Sequence, residues 1–259
     1  MKDKVHVHIP YPTLLKRFKD VLEAGLNPEV YFSATALDDY RLADIRSIKK
    51  DLDTRGLRTT IHGPYIDMSP GGPDEKVRGV TIERFNQVFQ IASVLKPRAI
   101  IFHPGFDRWR FDGNEELWLK QSLKTWPQFA EKAESIGTTM AIENVYEDTP
   151  DTIKALVEGI NFKNFRFCFD PGHSNIFSNI SIMEWLKAVG HYIVELHLHD
   201  NNGKEDNHLA IGDGNIDFKG LFRMVKGYTK EPIYTIEAYT EEAMWRGLDR
   251  LEGYFSDLH

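Results

Sequence analysis

The chain has 259 residues, 41% of them hydrophobic and 27% charged, which is enough for one large barrel or two ordinary globular domains. No run approaches the roughly 18 apolar residues of a membrane helix. A single cysteine rules out an internal disulfide, and a net charge of −7 argues against a large basic surface that tracks nucleic acid. The start runs from Met1-Lys2-Asp3-Lys4 straight into Val5-His6-Val7-His8-Ile9 with no signal-peptide core, so a cytoplasmic location is expected. The lone Cys168 lies in Phe165-Arg166-Phe167-Cys168-Phe169 and reads as a buried, inert thiol.

Short apolar runs alternate with stretches of helical spacing along the whole chain. Val5–Ile9 precedes a helix over Thr13–Ala24, and Val30-Tyr31-Phe32 precedes one over Asp39–Arg55, stopped by Gly56. Thr59-Thr60-Ile61 ends at His62. After the loop Pro70-Gly71-Gly72-Pro73 comes a helix over about Asp74–Leu95. Ala99-Ile100-Ile101-Phe102 ends at His103 and leads to a helix over about Asn114–Ile136, closed by Gly137. Thr139–Ile142 ends at Glu143, followed by a helix over Thr152–Glu158. Phe165–Phe169 ends at Asp170, followed by Ile182–Val189. Ile193–Leu196 ends at His197, with Phe218–Tyr228 after a long loop. Ile233–Ile236 ends at Glu237, before a last helix over about Glu241–Phe255.

These are eight strand–helix units without a long linker. Continuous apolar strands covered by helices imply a parallel sheet buried on both faces, and eight such units in about 250 residues match a (β/α)8 barrel. A doubly wound open sheet is the alternative, but no Gly-rich phosphate fingerprint follows the first strand. The expected architecture is therefore a single TIM-barrel domain over residues 1–259.

In such a barrel the carboxyl ends of all strands share one rim, where active sites form. His62, His103, Glu143, Asp170, His197 and Glu237 end six consecutive strands and converge there. His173 follows Asp170 in Asp170-Pro171-Gly172-His173, a turn that brings both side chains together. Asp206 and His208 lie two apart in the loop after strand seven, on one side of an extended backbone. A lone His or Glu at a strand end is more often a solvated residue or a helix cap, but six in succession are not explained that way. Imidazole and carboxylate ligands without thiolate suit Zn, Mn, Co or Fe in a working site, one to three ions per chain.

The motifs Ile61-His62-Gly63-Pro64-Tyr65, Phe102-His103-Pro104-Gly105, Ile142-Glu143-Asn144, Phe169-Asp170-Pro171-Gly172-His173, Leu196-His197-Leu198-His199-Asp200, Asp206-Asn207-His208 with Gly212-Asp213-Gly214, and Ile236-Glu237 resemble, in this order, the xylose isomerase-like TIM barrel superfamily. That group contains sugar isomerases and epimerases and the endonuclease IV-type AP endonucleases (AP endonuclease family 2). The resemblance implies, in the hydrolase branch, three zinc ions on nine ligands with matching positions here: His62, His103, Glu143, Asp170, His173, His197, Asp206, His208 and Glu237. In the epimerase branch it implies two carboxylates that carry protons, at positions matched by Glu143 and Glu237. The loop Ser33-Ala34-Thr35-Ala36-Leu37-Asp38 lacks the Arg or Trp that the DNA enzymes insert, and only Tyr65 and Ile66 resemble their second inserting loop.

The expected function is a divalent-metal-dependent isomerase or epimerase acting on a sugar or sugar phosphate through a metal-stabilised enediolate, with Glu143, Glu237 and His173 as catalytic residues. The alternative is an endonuclease IV-type multi-zinc phosphodiester hydrolase, the only reading in which nucleic acid is a partner. A barrel that binds without turnover is the third. Three divalent ions would leave the four ligand carboxylates with net positive charge that attracts phosphate, whereas one or two leave a neutral or negative site suited to an uncharged sugar. His8, Tyr65, Arg108, His199 and Lys204 are the expected substrate contacts, and Asn144 is expected to orient a ligand. No membrane partner is expected.

Overall fold

The computed structural model describes residues 5–229 and 231–257. Eight parallel strands close on themselves in chain order: β1 Val5–Pro10, β2 Asn27–Tyr31, β3 Thr60–His62, β4 Ala99–Phe102, β5 Thr139–Glu143, β6 Phe165–Phe169, β7 Ile193–Leu198 and β8 Ile233–Ile236. Strand β1 pairs with both β2 and β8, so no edge is left open. Helices α1 Tyr11–Ala24, α2 Ala34–Asp39, α3 Leu42–Thr54, α4 Glu75–Leu95, α5 Glu115–Thr125, α6 Pro127–Ile136, α7 Asp151–Ile160, α8 Pro171–Phe177, α9 Ile182–Val189, α10 Phe218–Val225 and α11 Glu241–Asp257 lie between and after the strands. No helix among the described residues is long and apolar enough to cross a membrane.

The main departures from the sequence expectation have local reasons. Strand β2 starts at Asn27 rather than Val30, because Asn27 ties into the sheet: its Nδ2 donates to the Val5 carbonyl and its Oδ1 accepts from Arg58 N. The helix expected over Asp39–Arg55 starts only at Leu42, because Tyr40 and Arg41 adopt extended backbone, and a short extra helix, α2, fills Ala34–Asp39, where the sequence reads as loop. The helix expected over Asn114–Ile136 also divides, because Pro127 has no N–H to continue the ladder and starts α6 instead. The turn expected at Asp170–His173 is the start of α8, whose first turn Asp170 caps through Oδ1, accepting from His173 N at 2.8 Å.

Side chains alternate across each strand, so two shells form. The outward set packs against the helices in the main core, where Phe102, Phe85, Phe89, Phe129 and Trp126 stack on one another behind β4. The inward set fills the barrel in layers. Its deepest apolar part is small: Ala99, Ile101, Ala141, Cys168 and Ile233. Cys168 is buried there as a free thiol, and burial pushes its pKa up, as an inert thiol requires. The next inward position on each strand, or the residue just past its end, supplies the top layer: His8, Tyr31, His62, His103, Glu143, Asp170, His197 and Glu237. Every strand contributes one polar or aromatic group to that ring.

Candidate metal centre

A cavity of about 480 Å³ opens above this layer, and His8, His62, His103, Glu143, His173, Asp206, His208 and Glu237 line it. The nine residues expected as ligands form a closed circuit of nitrogen–oxygen contacts. Glu143 Oε2 lies 3.2 Å from His62 Nε2, 3.4 Å from His103 Nε2 and 3.1 Å from His197 Nδ1. Its Oε1 lies 3.2 Å from His173 Nδ1, which is 3.5 Å from Asp170 Oδ2. His173 Nε2 faces Asp206 Oδ2 at 3.5 Å, and the same oxygen faces His208 Nε2 at 3.2 Å. His208 Nδ1 lies 3.9 Å from Glu237 Oε2, while Glu237 Oε1 returns to His197 Nδ1 at 3.2 Å.

The donor chemistry fits divalent ions. His62 Nδ1 lies 2.8 Å from the Gly63 carbonyl, which places the proton on Nδ1 and leaves the Nε2 lone pair facing the Glu143 carboxylate. Two lone pairs that face each other are held together by a proton or a metal ion between them. Both nitrogens of His197, Nδ1 of His199 and Oδ1 of Asp206 are buried without a hydrogen-bond partner among the described residues. Such orphans are rare in folded proteins and mark an unmet partner. Sets whose ligand atoms lie within 4.8 Å of one another include His62, Glu143 and His197; Glu143, Asp170 and His173; and His173, His199, Asp206 and His208.

Electrostatics point the same way. Burial raises Glu143, but the charges of His197 and His103 and hydrogen bonds from His103 and His173 outweigh it and hold the carboxyl well below its usual range. Glu237 is held down likewise, against burial, by His197 and His8. Burial opposes charge on His173 and His197, yet Asp170, Asp206 and Glu143 push His173 well up, and Cys168 followed by Glu143, Glu237 and Glu29 push His197 well up. His103 goes the other way, lowered by burial despite Glu143. Protons thus sit where a metal would neutralise the same carboxylates.

Backbone around the centre is set by a few polar anchors. Asn144 Nδ2 donates to the Asp170 carbonyl at 2.8 Å and Asn144 Oδ1 accepts from Asp170 N at 2.9 Å, which ties the ends of β5 and β6 together. The Asp200 carboxylate gathers the backbone N–H groups of Asn201, Gly212, Gly214 and Ile216 at 2.9–3.3 Å and so shapes the loop carrying Asp206 and His208. A Cβ on Gly214 would overlap Asp200 and the Asn201 carbonyl, which explains glycine there. Asp213, in the same loop, is gripped by Arg246 at 2.8 Å and Arg250 at 2.6 Å from α11. His208 has φ of +46°, and its ring is sandwiched between His199 (centroids 3.8 Å apart) and Tyr239 (4.4 Å).

Among the expected substrate contacts, His8 and Tyr65 line the cavity, and Tyr65 stacks on His103 with centroids 4.6 Å apart. Arg108 does not line it: the side chain is exposed and pairs with Asp148 at 2.7 Å, whereas Arg110, also exposed, is among the lining residues. Lys204 is exposed beyond the cavity wall. His199 is fully buried, packed over Gly172 and joined to Asp170 Oδ2 at 3.1 Å, so it supports the ligand layer rather than facing the cavity.

Two carboxylates escaped the sequence reading. Glu29 on β2 is buried with Oε1 3.1 Å from His8 Nδ1 and Oε2 3.4 Å from His197 Nε2. Glu195 on β7 is buried below His197, its Oε1 accepting from Thr235 Oγ1. The signal for Glu195 was present: it alternates with His197 inside an apolar strand, so both face inward. Glu29 was hidden because the strand was begun at Val30.

The structure is similar to that of a D-tagatose 3-epimerase-like protein, with a TM-score of 0.84 and 24% identity over 98% of each chain. It is also similar to a D-psicose 3-epimerase of Clostridium cellulolyticum H10 solved with D-tagatose, with a TM-score of 0.81 and 16% identity over 99% of each chain. An uncharacterized protein of Methanocaldococcus jannaschii is 30% identical over 208 residues, 75% of this chain and 69% of that protein. The family model described as xylose isomerase-like TIM barrel matches residues 21–254. With the closed eight-stranded barrel and its rim of His and carboxylate groups, that match shows that the chain belongs to the xylose isomerase-like TIM barrel family.

Proposed function

We propose that this protein is a divalent-metal-dependent isomerase or epimerase acting on a sugar or sugar phosphate, built as one barrel domain over residues 1–259 and working in the cytoplasm. The observation that carries the reading is the pair Glu143 and Glu237. Both line the cavity, both are held ionised, and both touch His197. Glu143, Asp170, His197 and Glu237 would hold a divalent ion, which would supply Lewis-acid stabilisation for charge developing on adjacent substrate oxygens.

The protein's own groups do the proton work. One carboxylate takes the proton from the carbon beside the substrate carbonyl, through the oxygen free of other partners in the complex. An epimerase needs the second carboxylate to return a proton on the opposite face; an isomerase returns it to the neighbouring carbon. His8, 3.1 Å from Glu237 Oε1, and His173, 3.2 Å from Glu143 Oε1, each stand where they can steady a carboxylate as it gains and loses that proton. Metal-loaded protein incubated with ketohexoses, ketopentoses and their phosphates in deuterated water should place deuterium on the carbon next to the carbonyl. Absence of label with the whole panel would falsify the reading.

The phosphodiester hydrolase reading draws on one observation, the group His173, His199, Asp206 and His208, whose ligand atoms lie close enough to hold an additional ion. Nicking of a duplex with an abasic site by zinc-loaded protein would establish it, and three zinc ions per chain would be its companion finding.

A further inference from the structure

Beneath the ligand layer the barrel interior is polar where barrels of this type are packed with branched apolar side chains. Glu29, Glu195, Thr60, Thr235 and His6 are all buried there. None of them lines the cavity. Glu29 sits at the centre: Oε2 accepts from Thr60 Oγ1 at 3.2 Å and faces His197 Nε2 at 3.4 Å, and Oε1 meets His8 Nδ1 at 3.1 Å. The same His8 nitrogen touches Glu237 Oε1 at 3.1 Å. Among the described residues no hydrogen bond of good geometry holds either His197 nitrogen; the ring lies between acidic groups, Glu143 and Glu237 at Nδ1 and Glu29 at Nε2, and also interacts with the buried Cys168.

Glu29, Glu195 and His197 present ligand atoms within 4.8 Å of one another, but the cavity stops above them at His8 and Glu237.

The geometry points to Glu29 as a positioning residue for the metal centre. One carboxylate holds His197 from below and His8 from the side, so that His197 Nδ1 and Glu237 Oε1 are presented to the same ion. This rests on the metal-centre reading above. A carboxylate behind a ligating imidazole favours the tautomer protonated on its own side; with Glu29 Oε2 facing Nε2 at 3.4 Å, Nδ1 is the nitrogen left for an ion, and its basicity rises. Through His8 the same residue limits how far Glu237 can swing, which joins a ligand on β7 to one just past β8.

The test is titration of chelator-stripped protein with Co(II), read by competition with a chromophoric chelator and by visible absorption of the bound ion. Glu29→Gln should weaken binding by about 10- to 100-fold and alter the absorption bands. Glu29→Asp should recover part of the affinity, and Glu195→Gln, which keeps the size and shape of the side chain, should bind as wild type does. Equal affinity and spectrum for Glu29→Gln and wild type would overturn the positioning role while leaving the metal centre intact. Equal losses in Glu29→Gln and Glu195→Gln would overturn it too, because any cut in the buried floor would then suffice. Wild type that takes up no Co(II) would remove both this role and the metal-centre reading. Should Glu29→Gln not fold, Thr60→Val, which loosens Glu29 without removing its charge, should still weaken binding several-fold; unchanged binding there overturns the proposal.

Discussion

Glu143 and Glu237 differ from an ordinary pair of buried acids in what surrounds them, because each faces two or more imidazoles within 3.9 Å. Replacing either with Gln removes the proton carrier and keeps the shape. Isotope exchange should fall by about 10²- to 10⁴-fold in each variant, and parallel retention of exchange in both would remove them from proton transfer. Glu147 is a different case. It is buried, Oε2 accepts from Val145 N at 2.7 Å and Oε1 has no hydrogen-bond partner among the described residues; burial pushes its pKa up to about 7. A carboxyl raised above its unfolded value contributes stability fully present below about pH 4.5 and lost as pH rises through 7. Glu147→Gln should flatten that decline, gaining on the order of 1–3 kcal/mol at pH 8 in denaturant unfolding. At this scale the sequence exposed the strand-end ligands, because a polar residue closing an apolar run stands out. It did not expose Glu147 or the burial of His199, which depend on loop paths and on what packs above them.

At the scale of elements, the loop between β7 and α10 is shaped by Asp200 and stands on the His199–His208–Tyr239 stack. Gly172 on α8 makes room for that stack, since a Cβ there would strike the His199 ring. Gly172→Ala should therefore displace His199 from Asp170 and lower the number of ions bound per chain, measured by elemental analysis after dialysis; an unchanged count would show that His199 has no say in ligation. The alternation of strands and helices was legible because buried parallel strands are continuous apolar runs. Helix breaks were harder to see: Pro127 was visible, yet the run from Asn114 to Ile136 kept its amphipathic rhythm across it. The break at Tyr40-Arg41 has no proline or glycine to announce it.

For the molecule as a whole, the centre is a set of carboxylates and imidazoles whose shared protons a bound ion would replace under the proposed function. His173 and His197, pushed up by their acidic neighbours, must give up protons when a metal binds. Affinity should rise from pH 6 to pH 8, with proton release detected by calorimetry in buffers of different ionisation heat; pH-independent binding would contradict this. Ions present at about a thousand times their dissociation constant stabilise by roughly 4 kcal/mol, so chelation should lower the melting temperature by about 10 °C. The grip of Arg246 and Arg250 on Asp213 has a thermal corollary. The closing helix serves as a mooring for the segment that bears Asp206 and His208, so warming that unties this helix should let cations escape from the mouth while the strands beneath still hold their cylinder.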